Sequence, residues 1–124
     1  MGLDNIIYKS VPVKDKKLSK YTSQLIGGML SDSSNSFRGK VYDPVFSEIT
    51  GYSLYDSDAW TYDDKQQIVN NLVTFAEKHR FNLVEELAKM NYDNWYEWTE
   101  EDFNNILEVM KLVLEKNWTI HAWF

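Results

Sequence analysis

The sequence predicts an α+β fold: a small sheet that includes the N- and C-terminal strands, covered by three to four helices. Three observations carry that expectation. From Thr99, a capping residue followed by Glu100, Glu101 and Asp102, the positions Phe103, Ile106, Leu107, Met110, Val113 and Leu114 recur at three- and four-residue steps. This is the apolar stripe of a helix over 100–116, with acids at the end that favours negative charge. After Asn117 the period drops to two: Trp118, Ile120, Ala122 and Phe124 alternate with Thr119, His121 and Trp123, as in a half-buried strand over 118–124. A helix feeding a terminal strand requires a sheet laid down elsewhere, and the β-type run Asn5–Lys9 offers one at the other end of the chain.

Taken in order, Asn5–Lys9 is the first strand, ended by Pro12 or placed at an edge by it. Residues 14–30 have two readings. Leu18, Tyr21, Leu25 and Met29 share a helical face, but Gly27 and Gly28 weaken that helix, and a strand from Tyr21 to Leu30 is the alternative. A polar loop, 31–36, leads into Phe37–Tyr42. Asp43 and Pro44 suit the cap and first position of a short helix with Val45, Phe46 and Ile49 inward and Gly51 as a left-handed stop. Tyr52–Tyr55 is a strand candidate and 56–58 a turn. A helix over 62–79 starts at Thr61 and carries Ile68, Val69, Leu72, Val73, Phe75 and Ala76 inward. Asn82 caps a shorter one through 83–90. Residues 91–98 form an aromatic loop. With no repeat and no linker, residues 1–124 are expected to form a single domain.

The chain's 124 residues can bury a core without staples. It has no cysteine, which removes disulfides and thiolate metal sites and makes the cytoplasm the expected location. No apolar run approaches the ~20 residues of a membrane span, so no membrane partner is expected. The net charge of −6 is unevenly spread. Residues 1–40 carry seven bases against three acids, and 41–124 carry six against sixteen. A general nucleic-acid binder needs a dominant basic surface, and this chain lacks one.

Two stretches carry the functional expectations. In the 33–42 loop, Ser34, Asn35 and Ser36 supply hydrogen bonds, Arg38 a fork for phosphate oxygens and Lys40 a point charge. Gly39 permits close approach, and Phe37 or Tyr42 can stack on a base. It is not a P-loop, because Val41 stands where the hydroxyl should follow Gly39-Lys40. The expected ligand is an anionic, nucleotide-like small molecule, although the same residues suit a solvated connection. The second stretch is the aromatic loop, where Tyr92, Tyr96, Glu97 and Glu100 could form an acidic patch for a basic protein partner, with Trp95 and Trp98 capping the core.

Enzymatic readings have less to stand on. Glu97, Glu100, Glu101 and Asp102 are explained by a helix start, and Asp56, Asp58, Asp63 and Asp64 by turns and caps. His79 and His121 are the two histidines, too few without thiols for a zinc site. His121 paired with Ser36 or Tyr42 is the one hydrolase arrangement in view. No catalytic residues, no metal and no cofactor are expected. A homodimer through the terminal strand is possible.

The opening Met1-Gly2-Leu3-Asp4-Asn5 resembles that of small uncharacterised phage and bacterial proteins. The resemblance implies a phage or mobile-element protein that acts by binding rather than catalysis. With it, the 33–42 loop points to the sequestering of a nucleotide-like ligand; the alternative, resting on the acidic balance of 41–124 and the aromatic loop, is an immunity or inhibitor protein that blocks a basic partner such as a nuclease toxin.

Overall fold

The computed structural model describes residues 3–27, 35–90 and 96–123. Strand β1 (Asp4–Lys9) is the axis of the sheet. One of its edges pairs antiparallel with β4 (Thr119–Trp123) from Asp4↔Trp123 to Tyr8↔Thr119. The other edge is divided between two short strands, β3 (Ser36–Phe37) and β2 (Val11–Pro12), both antiparallel. The expected union of the chain's two ends in one sheet is therefore present, and the fold is α+β.

The period-2 rule sorts the side chains of this sheet. Asn5, Ile7, Phe37, Ile120 and Ala122 face the helices, and all five are buried. Asp4, Ile6, Tyr8, Thr119, His121 and Trp123 face the other way. Against the inner face lie α1 (Lys16–Thr22), α2 (Gly39–Thr50), α3 (Tyr62–Lys78) and α5 (Glu100–Lys116), with α3 on α5 and α2 on α3. The short α4 (Leu83–Lys89) adds Leu83 and Leu87. One continuous core joins Leu3, Ile7, Phe37, Phe46, Leu72 and Phe103 to the rest.

Helix ends follow the expected chemistry at three places. Thr61 and Thr99 each form a reciprocal capping box, with Asp64 and Asp102 respectively. Gly51 ends α2 at φ 78, a left-handed position that a side chain would strain. Asn82 precedes α4, but its side chain donates to Glu86 rather than accepting from the helix.

Four expectations need correction. The second helix begins at Gly39, not at Pro44, and Pro44 sits exposed in its second turn. Asp43 is drawn away from capping by the loop that follows: its carboxylate accepts the Leu54 N–H at 2.7 Å and the Ser53 hydroxyl at 3.2 Å. Residues 52–55 do not form a strand. Leu54–Ala59 is a 3₁₀ helix, started by Ser53 Oγ, which accepts the Tyr55 N–H. The tail of the polar loop, Ser36–Phe37, is a strand. The 14–30 alternatives resolve in favour of a helix over 16–22, which stops before Gly27; Met29 lies outside the described residues.

Candidate functional site

The 33–42 loop was expected to open toward a ligand, yet its side chains are mostly spent on the fold; Ser34 lies outside the described residues. The Asn35 carboxamide ties three elements together, donating to the Val13 carbonyl at 2.8 Å and accepting from the hydroxyls of Ser19 and Thr22. Ser36 is buried on β3. Phe37 and Tyr42 are both 0 % exposed, packed edge to face at 6.1 Å, so neither can stack on a base without leaving the core. Tyr42 Oη also accepts the Ile26 N–H at 2.8 Å. Burial pushes its phenol up to about 12.

Gly39 does permit a close approach, but the visitor is the chain's own Asn5. A Cβ built on Gly39 would stand 1.7 Å from Asn5 Oδ1. The Asn5 amide in turn donates to Leu54 O at 2.9 Å and Ser57 Oγ at 3.1 Å. The glycine that suggested a phosphate contact thus seats β1 against α2 and the 3₁₀ helix. Of the loop's expected ligand groups among the described residues, Arg38 and Lys40 alone keep partial or full exposure.

The aromatic loop divides as well. Trp98 is buried, as a core cap should be, beside Tyr42 at 5.5 Å; Tyr92 and Trp95 lie outside the described residues. Tyr96 was expected to be exposed. It is half-buried instead, donating to Asp102 Oδ2 at 2.5 Å, and burial and that carboxylate both raise its pKa. Glu97 and Glu100 remain exposed.

A different surface gathers what those stretches lose. Between Lys40 and Lys65 the chain carries six acids and no base, and the 3₁₀ helix in this interval packs along β4. Asp58 Oδ1 lies 2.8 Å from His121 Nδ1 and accepts the Ala122 N–H at 3.3 Å, so one carboxylate oxygen holds the outer edge of the strand. A carboxylate can only accept, so Nδ1 carries the proton. Around this clasp lie Asp56, the half-exposed rings of Tyr55 and Trp123, and Tyr8, 6.4 Å from the His121 ring. Just beyond Trp60 come the exposed Tyr62 and Asp63. Asp64 is held below the usual carboxylate range by the Thr61 N–H, with Tyr52 bonded to it as well.

The Asp58–His121 geometry orients an imidazole as a general base would need, but neither expected nucleophile is in reach. Ser36 and His121 pair with opposite edges of Ile6, about 10 Å apart by strand spacing, and Tyr42 is in the core beneath the other face. What the sequence did show of this surface was its acids, read there as turn and cap residues. Their meeting with Trp123 depends on strand pairing across the whole chain. Among the described residues no cluster of His, Asp and Glu could hold a metal ion, and no helix is long and apolar enough to cross a membrane. Compared with models of known protein families, with curated proteins and with solved structures, the chain matches none.

Proposed function

We propose that this chain is a non-enzymatic binding protein that docks a basic protein partner on the acidic, aromatic face of the 3₁₀ helix and β4, as an immunity or inhibitor protein does. One observation supports the reading above others: exposed Asp56 and Asp58 stand against a strand that presents Trp123 and His121. Aromatic anchors rimmed by charge are the usual composition of an interface hot spot. The sequestering of a nucleotide-like ligand by the 33–42 loop has less support, because Asn35, Phe37 and Tyr42 are committed to the core.

Electrostatic attraction on such a face acts mainly on the association rate and weakens with salt. The test is titration of a fluorescein-labelled arginine-rich peptide into the protein at low and high salt. Binding that weakens steeply with salt, and falls in both the Asp56→Asn/Asp58→Asn double variant and Trp123→Ala, is the expected result. Glu97→Gln/Glu100→Gln serves as the control for charge elsewhere. If that control loses as much affinity as the aspartate pair, the face carries no specificity and the reading fails.

A further inference from the structure

At the other end of the β1–β4 ladder, two lysines converge on one corner. Lys65, in the first turns of α3, is 6 % exposed, and its Nζ donates to Asn117 Oδ1 at 3.2 Å. Asn117 closes α5 in the left-handed region at φ 51 and turns the chain into β4. Lys9 arrives from the sheet. Tyr8 is paired with Thr119, so one step further along the antiparallel register sets Lys9 level with Trp118, beside Asn117. Its charge reaches Lys65: burial first, then Lys9, lowers the Lys65 pKa. Among the described residues neither ammonium has a carboxylate at ion-pair distance.

A buried cation is normally paired, because desolvation penalises it and a like charge nearby adds to the penalty. The C-terminal end of α5 offers only about half an elementary negative charge, which suits one lysine and leaves the second opposed. We propose that this corner binds a small oxyanion of the phosphate or phosphate-monoester class, held by Lys9 and Lys65 with the Asn117 carboxamide as a third donor. An oxyanion between the two ammonium groups turns their repulsion into two attractions. Lys9 and Asn117 are exposed, so the corner is reachable from solvent. This site is independent of the acidic face, which lies around Asp56 and Asp58.

The experiment follows melting temperature in inorganic phosphate, and separately in glycerol phosphate, against sodium chloride at matched ionic strength. Phosphate should raise the melting temperature beyond the chloride control, and Lys9→Gln, a change at an exposed strand end, should abolish that increment. Asp56→Asn should leave it intact, which separates this site from the acidic face. A stronger response to glycerol phosphate than to phosphate identifies a monoester as the ligand type, and the reverse identifies the free ion. A second readout is NMR of reductively ¹³C-methylated protein, assigned with Lys65→Met: the Lys65 dimethylamine should titrate at higher pH once phosphate is present. An increment equal in wild type and Lys9→Gln, no increment at all, or a Lys65 resonance indifferent to phosphate would each overturn the assignment.

Discussion

Phe37 and Tyr42 lie in a stretch rich in polar and basic residues, and Tyr55 and Tyr62 flank one rich in acids. Read as sequence, the first is a candidate ligand surface and the second a turn followed by a helix cap. In the fold, the first pair is 0 % exposed, whereas Tyr55 and Tyr62 reach the surface at 40 % and 53 %. The difference comes from where the backbone is held. Ser36–Phe37 adds to β1 and so must send alternate side chains inward. The 3₁₀ helix instead follows the outer edge of β4, where Leu54 and Ser57 face inward and their neighbours are left outside. Aromatic content alone therefore says little about binding. The element that carries a ring decides whether it fills the core or meets a partner.

The contrast can be broken most forcefully by truncating one ring from each region. Phe37→Ala should cost about 3–5 kcal/mol, the range for emptying a packed aromatic site, while Trp123→Ala should cost about 1 kcal/mol or less. Urea unfolding of both variants measures this, and comparable losses would show the two environments to be alike. Next in size is Gly39→Ala, whose new methyl meets Asn5 Oδ1; overpacking of this kind costs about 1–3 kcal/mol. In the double variant with Asn5→Ala the two losses should fall well short of additive, because the clash disappears along with the carboxamide. Full additivity would mean that Asn5 is not what Gly39 accommodates.

Tyr42→Phe sharpens the comparison further. It removes the acceptor for the Ile26 N–H, and about 1–2 kcal/mol should be lost. The same hydroxyl makes a pH prediction. Its folded pKa, about 12, lies above the ordinary 10.0, so its contribution to stability is complete below pH 10.0 and declines between 10.0 and about 12. Alkaline unfolding followed by circular dichroism should begin in that window and flatten in Tyr42→Phe. The smallest expected effect is that of Asp56→Asn, an exposed change that should move stability by no more than about 0.5 kcal/mol while altering the salt dependence of peptide binding. A large loss of stability there would make Asp56 a structural residue and weaken the case for a docking face.

Local pattern was enough to establish the α+β class, the helices ending in Lys78 and Lys116, their caps at Thr61 and Thr99, the left-handed stop at Gly51 and the existence of a strand near each terminus; that these two strands pair is a tertiary outcome. Periodicity and capping act within one or two turns of chain, so neighbouring residues specify them. The tertiary structure alone decided the rest. Asp43 stays within its helix but turns its carboxylate to the Leu54 N–H, 11 residues away, because the 3₁₀ helix comes within reach. Residues 54–59 form a 3₁₀ helix that Asp58 fastens to the outer edge of β4, 64 residues away. Asp58 met His121 across 63 residues, and Lys65 met Asn117 across 52. Contacts of that separation are set by how strands and helices stack, and no local pattern encodes which polar side chains the stacking will bring face to face.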